Sequence, residues 1–393
     1  VSGALGSVDS AATFDVVVIG AGLAGAAAAE SLTRRGRSVC VLEADSPAGA
    51  GGSSHGSARI FRRAYPEPFW IDLTGRAQRA WRDLEDRSCT SLLRLTGGID
   101  HGDIRQPALI AEGLRAAGIP HDLLPAAAAA ERWPGLRFAG PVLFHPDAGP
   151  LDPETTVAAM LTLVADAGGA VHHHSPVDRI ETVSGGVRVH TPGGSVRGAV
   201  AVIAAGAWLP DLLDRCGRAD LHRRLPTLTV TQHQIFHFPR RDPLPVGAVD
   251  GWPIFIHQMS AAPAGAGAVG SVYGLPGGRD AGPGGGIKIG EHDRGTPTTA
   301  DTRDGIVDAG SRARVTGYVQ TWLPGLVPEP YAEASCLYTD TPNDDFVLDR
   351  VGPLVLASPC SGHGAKFAPV IGELIADLAT GSAPVPRFTL AAA

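Results

Sequence analysis

Gly20, Gly22 and Gly25 stand in the spacing G-x-G-x-x-G, and an acid, Glu43, follows roughly twenty positions later. Those residue types in that order suit the holding of a dinucleotide. The first glycine permits a tight turn, and the second lets the backbone approach a pyrophosphate. The third lets a helix pack closely on a strand. Glu43 falls where a carboxylate can accept hydrogen bonds from a ribose, which disfavours a 2′-phosphate and therefore NADP. NAD and FAD both remain open. The elements that must position these residues can be read on either side. Val16 to Ile19, after Asp15, is an apolar run of the buried parallel-strand kind. Ala26 to Ala29 continue a small-residue helix that ends near Arg35-Gly36, and its N-terminus would face the phosphates. Ser38 to Leu42 forms the second strand and delivers Glu43.

Composition narrows the class. The chain has 393 residues, enough for two domains. Hydrophobic residues make up 44% and charged residues 19%, so a core is well supplied. The net charge of −7 gives no reason to expect nucleic acid or an anionic membrane surface as a partner. Five scattered cysteines without a C-x-x-C read as reduced thiols of a cytoplasmic protein. No apolar run is long enough to span a membrane. Residues 1–14 read as a flexible leader.

The remaining elements follow in order. Residues 70–93 carry apolar positions at helical spacing, and 107–118 and 126–132 also read as helices. A strand and tight turn are expected over 95–102. Residues 140–153 read as strand, turn and helix entry, with Asp152 an N-cap ahead of Pro153 and the helix running to about Ala167. Residues 169–183 read as one strand. Its His172, His173 and His174 would point to alternating faces and could not share an ion, so no metal is expected. A hairpin begins at 186, then a buried strand Ala199 to Ala205 leads to Gly206-Ala207-Trp208. Residues 227–238 alternate as a strand. Short strands with a Gly/Ala-rich insert at 261–270 cover 252–276. A glycine-rich loop then enters the short strand that carries Lys288. Gly362 and Gly364 open a last helix near Pro369.

Several phrases together carry a resemblance. The segment from Gly52 to Glu67 reads G-S-x-H-G-x-x-R-I-x-R-x-A-Y-x-E. Later come E-R-W-P-G-L-R-F (131–138), G-I-K-I-G-E-H (286–292), A-S-C-L-Y-T (334–339) and S-G-H-G (361–364). From about Asp15 to Gly381 the chain resembles the monomeric sarcosine oxidase and N-methyltryptophan oxidase family of FAD-dependent amine oxidases. The resemblance implies an α/β fold with a two-dinucleotide-binding, Rossmann-like FAD domain over 1–94, 152–225 and 333–393. A second substrate domain, on a mixed and largely antiparallel sheet, would span 95–151 and 226–332.

What the resemblance implies about residues is specific. Cys336 would attach covalently to the 8α carbon of the flavin, and Arg59 would lie close to the ring. Lys288 would sit against the flavin and promote reaction with O₂. His292 would hydrogen-bond the amine or the lysine's water. Arg62 and Lys366 would clamp a substrate carboxylate, with Tyr273, Tyr338 and His55 lining the cavity. Val177, Gly206, Trp208, Gly362, Gly364 and Lys366 would hold the cofactor along with the first glycines. Glu67 would either hold Arg62 in place or act directly, and Arg63 would lie on the surface. The implied reaction takes an amino acid or N-substituted amino acid to an imine and O₂ to H₂O₂, in a monomer. Three other readings stay open: an oxidase making a cyclic imine for a specialised metabolite, a flavin dehydrogenase with another acceptor, and a non-enzymatic flavoprotein. Cys360 and His101 depart from the family pattern. The segment around Trp252, Phe255 and His257, with its longer insert, suggests a cavity for a side chain larger than methyl.

Overall fold

The computed structural model describes residues 12–242, 251–260, 270–282, 285–292 and 294–391. Most of the leader and residues 261–269 of the insert lie outside the described residues. Two sheets dominate.

The first sheet has eight strands around a parallel centre. Thr13–Ile19 pairs in parallel with Val39–Leu42 on one side and Gly194–Ile203 on the other. Leu354–Ser358 and Ala170–His172 extend the parallel set outward. The strand expected over 169–183 is two strands. Ala170–His172 closes the parallel sheet, whereas Arg179–Val183 pairs with Gly186–Thr191 in an antiparallel extension. The break lies at His174, in the left-handed region at φ 51°, just ahead of Ser175-Pro176. The freed N–H groups of His174 and Ser175 donate to the carbonyls of Asp45 and Glu43, which ties this turn to the end of the second strand.

Helix Leu23–Arg34 covers one face of this sheet and packs against Pro153–Asp166 and Ala368–Ala379. Asp152 caps Pro153–Asp166 by accepting from Thr155 N at 3.0 Å. The opening glycines are required by contact. A Cβ on Gly20, whose φ is +101°, would stand 2.5 Å from Ala204 O. A Cβ on Gly25 would stand 1.9 Å from Gly20 O, so helix and turn touch backbone to backbone.

The second sheet has nine strands and is antiparallel apart from one pair among the described residues, Ile254–Gln258 beside Gly98–His101. Thr229–Phe238 pairs with Ile287–Glu291 and with Ala332–Asp340. The register sets His237 opposite Lys288 and His233 opposite Cys336. Side chains alternate along a strand, so Lys288, Ile235, Cys336 and Tyr338 share the face that fronts the first sheet. Tyr273, opposite Gly290, joins them. Ala332–Asp340 therefore belongs to the second sheet, not to the FAD domain as the sequence partition at 333 expects. The chain re-enters the first sheet at Val347–Val351. Its long ladder with Thr229–Phe238 is what holds it there.

A two-stranded clip, Arg59–Phe61 with Gly149–Leu151, ties the loop after Glu43 to the segment between Val142–His145 and Pro153–Asp166. The helix expected over 70–93 runs Pro68–Ser88 and stops at Cys89, a left-handed C-cap at φ 48°. No helix of the described residues is long and apolar enough to cross a membrane.

The backbone contact at Gly25 makes a prediction. Gly25→Ala is expected to cost about 1–3 kcal/mol through overpacking. Gly140→Ala, where a Cβ would meet nothing within 4 Å, should stay within about 0.5 kcal/mol of the parent. Urea unfolding of the two variants checks it; equal stabilities would show that the turn relaxes freely.

Candidate active site

One cavity of about 550 Å³ runs between the two sheets. Its size falls in the range of roughly 300–1,000 Å³ common for small-molecule sites. Gly20, Gly22, Glu43, Val177, Gly206 and Trp208 line one end. Glu43 is held toward the glycine turn, its Oε2 accepting from Ala21 N at 2.6 Å and its Oε1 from Asp45 N at 3.0 Å. Leu23–Arg34 begins at Gly22 with no N-cap side chain of its own. Ser54 Oγ takes the Leu23 N–H, and the rest of the first turn can receive phosphate. Gly25 packs behind this surface and does not line it. At the far wall a Cβ on Gly364 would meet Pro359 O at 1.8 Å, and Gly362 sits at φ +63° beside His292 and Tyr338. Backbone without side chains thus borders the cavity at both ends, which fits a dinucleotide laid along it.

Lys288 occupies the middle. It is 3% exposed, and its Nζ donates to Ala58 O at 3.0 Å. Burial first, and Arg59 second, pull its pKa down to about 7, while Cys336 and Asp280 oppose that fall. Arg59 is fastened by bonds to the carbonyls of Ser53, His55 and Ala58. Cys336 is buried and lines the same cavity as these two cations. Tyr273 and Tyr338 hydrogen-bond each other, and burial pushes Tyr273 up to about 12 and Tyr338 well above its usual value. Both stay neutral phenols at ordinary pH. Cys360 also lines the cavity, with burial raising its thiol to about 11.

The other end is cationic. Arg62 lies over the Tyr65 ring at 4.3 Å and donates to Ala64 O. Lys366 is 4% exposed and donates to His363 O at 2.6 Å. Burial lowers Arg62, with Arg105 the next cause; burial also lowers Lys366 strongly, followed by Arg62 and Arg105. His292, edge-on to Tyr338 at 5.7 Å, is driven down to about 4 by burial and then by Arg62, Lys366 and Arg105. A neutral imidazole among cations can accept a hydrogen bond from an amine. The charges that act on it are Arg62, Lys366 and Arg105, not Lys288.

Most of the residues expected from the sequence converge here, but several stand elsewhere. His55 does not reach Arg62. It lines a second cavity of about 190 Å³ with His237, Asp280 and the far side of Lys288, because Arg59 holds its carbonyl and turns the loop that way. Glu67 does not hold Arg62; it pairs with Arg387 at 2.6 Å. Arg63 is half-buried, packs against Gly75 and faces Asp147 at 3.7 Å. Phe255 and His257 turn away from the cavity and Trp252 sits in the core behind it, while Ile256 and Gln258 supply the lining. His101 stacks on His257 at 3.8 Å within that core. Among the described residues no group of three or more histidines, cysteines or acids could hold a metal. Sequence reasoning missed Arg105, Asp100 and His363. The histidine in S-G-H-G was visible as a motif, and Arg105 carried no local signal.

The chain matches the model of the FAD dependent oxidoreductase family over residues 15–378. Monomeric sarcosine oxidase from Streptomyces avermitilis is 33% identical over 386 residues, covering 95% of this chain and 96% of its own length. N-methyl-L-tryptophan oxidase from Salmonella heidelberg is 31% identical, with 94% and 96% covered. Among solved structures, the open form of NikD, an amino acid oxidase essential for nikkomycin biosynthesis, superposes with a TM-score of 0.82 at 25% identity, covering 97% of this chain and 98% of that one. Glycine oxidase from Geobacillus kaustophilus shares the fold, with a TM-score of 0.75 at 21% identity, 97% and 99% covered.

Proposed function

We infer, from the premise that this chain belongs to the FAD dependent oxidoreductase family, that it is a flavoprotein amine oxidase acting on the CH–NH bond of an amino acid or N-substituted amino acid. The observation that carries the substrate class is the pairing of Arg62 and Lys366 in the cavity that begins at the glycine cradle. Two buried cations repel unless an anion lies between them. A carboxylate next to the amine supplies that anion.

FAD, when bound, supplies the redox chemistry by accepting a hydride equivalent from the carbon beside the nitrogen. The protein's residues do the rest. Arg62 offers a planar fork and Lys366 a point charge, and together they fix the carboxylate and so the carbon. His292 can accept a hydrogen bond from the amine, and the cations Arg62, Lys366 and Arg105 around it disfavour the ammonium, leaving the neutral form whose lone pair assists. Tyr273 and Tyr338 give apolar wall plus hydroxyls. The imine that leaves is hydrolysed by water. Lys288 places a cation where charge develops on O₂, which supports H₂O₂ as the second product. A carrier-linked dehydrogenase would not use that cation, and peroxide yield distinguishes the two.

We further propose that the flavin is covalently held through Cys336. The Cys336 thiol lines the same cavity as Lys288 and Arg59, and the A-S-C-L-Y-T phrase matches the family's attachment segment. Acid precipitation should leave yellow colour in the pellet of the parent and of Cys360→Ala. With Cys336→Ala the colour should pass to the supernatant, and a colourless parent pellet would rule the linkage out.

Lys288→Met is expected to slow reoxidation by O₂ at least about tenfold, equivalent to about 1.4 kcal/mol of barrier, and to slow reduction by substrate much less. Since Lys288 is charged only below its depressed pKa, the parent's reoxidation should fall as pH rises through that pKa, near about 7 or above it where an anion lies alongside. The variant should show no such step. Stopped-flow traces of the two half-reactions, taken across pH, decide; equal slowing of both would remove Lys288 from the oxygen site.

An amine screen coupled to peroxide detection tests the clamp. Amino acids should turn over far better than their amides. Arg62→Ala should weaken both substrate and carboxylate inhibitors by about 2–5 kcal/mol. Amides as good as acids would show that Arg62 and Lys366 do not hold a substrate carboxylate.

A further inference from the structure

We propose that the substrate carries a second carboxylate and that Arg105 receives it. The inference rests on the amino-acid reading above, in which Arg62 and Lys366 hold the first.

Arg105 lies in the loop after Gly98–His101, and the loop's backbone turns it inward. Gly102 has φ +104°, and a Cβ there would stand 2.0 Å from Gln258 O. Ile104 N donates to the same carbonyl at 3.2 Å. The loop is thus folded down on the end of Ile254–Gln258. Asp103, Ile104 and Gln106 are exposed, while the Arg105 side chain keeps 9% of its surface and lines the cavity.

Its contacts leave one edge unused. Nε and Nη2 both reach Asp100 Oδ1 at 2.6 Å, and Nη2 also donates to Ala64 O at 3.1 Å. Nη1 has no hydrogen-bond partner among the described residues. Arg62 donates to that same Ala64 oxygen. The two guanidinium groups therefore meet at one carbonyl, and the anions they could bind lie a short chain apart.

Charge points the same way. Arg105 acts on Arg62, both act on Lys366, and Asp100 is the carboxylate that offsets Arg62 and Arg105. A bound anion keeps Lys366 protonated, and three positive charges against one then leave two unmatched. An amino acid with a neutral amine and one carboxylate supplies one negative charge, and a dicarboxylate supplies two. The competing account is that Arg105 and Asp100 form a self-contained pair that only props the loop. On that account a second carboxylate gains nothing.

The test uses calorimetric titration of the holoenzyme at pH 8 and constant ionic strength with succinate and with butyrate. The two have the same carbon count and differ in one carboxylate. Succinate is expected to bind about tenfold tighter or more, a ratio worth about 1.4 kcal/mol. Arg105→Met should erase that advantage while leaving butyrate within about threefold. The pair Arg105→Met with Asp100→Asn removes both charges together and should do the same, which keeps the test open if the single variant does not fold. Succinate binding the parent no tighter than butyrate would overturn the inference, as would an advantage that survives in the folded variants. If butyrate binds, and loses its site in Arg62→Met, while succinate gains nothing, only the second carboxylate is wrong. If neither acid binds, the amino-acid reading falls with it.

Discussion

Burying a cation costs several kcal/mol unless something nearby offsets it, and this chain buries a set of them around one cavity. The offset comes mostly from backbone oxygens. Lys288 bonds to Ala58 O, Lys366 to His363 O, Arg62 and Arg105 to Ala64 O, and Arg59 to three carbonyls of its own loop. A carbonyl dipole steadies a cation without cancelling its charge. Positive potential is therefore left in the cavity for an anionic ligand to satisfy. Apart from His363, the residues that supply these oxygens run from Ser53 to Ala64, so that short stretch must be held rigidly. The clip of Arg59–Phe61 on Gly149–Leu151 does so, as does the bond from Gly56 N to Glu154.

The two sheets divide the remaining work. The parallel sheet ends in glycine turns whose backbones touch, which leaves room along the cavity floor for a dinucleotide. The second sheet contributes order through its register. His237 opposite Lys288 and His233 opposite Cys336 put the lysine, the thiol and the tyrosines on one face. A slip of one residue would turn all of them away together. Three neighbouring strands must therefore keep register for the chemistry to assemble, which explains why Ala332–Asp340 is paired along most of its length.

The same positive potential tunes the histidines. His292 and His363 sit among cations in a dry place, and both effects favour the uncharged ring. Each then has a lone pair to offer at neutral pH. Tyr65 bonds to His363 Nδ1 at 3.0 Å and lies under Arg62, so the ring that supports Arg62 is itself oriented by a neutral histidine.

Much of the opening motif was readable in the sequence because its contacts are local. Gly25 against Gly20 O and Glu43 against Ala21 N act within one βαβ unit, where spacing sets which backbone atoms meet, whereas the approach of Gly20 to Ala204 O needed the fold. The Asp152 cap and the helix over 126–132 were readable too, and short phrases singled out Lys288, Cys336, Arg62 and Lys366, which the fold brings to one cavity. Tertiary structure decided what depends on distant partners. Strand alternation assigns two faces but not which one meets the cavity, so Phe255 and His257 were misplaced while Ile256 and Gln258 line it. The partner of Glu67 is Arg387, at the other end of the chain, and His55 faces a second cavity because Arg59 holds its carbonyl. Arg105 has no motif at all. It enters the site only because Gly102 lets its loop close onto Gln258 O, and charge in a dry cavity is set by whatever the fold brings within a few ångströms, however far apart in sequence.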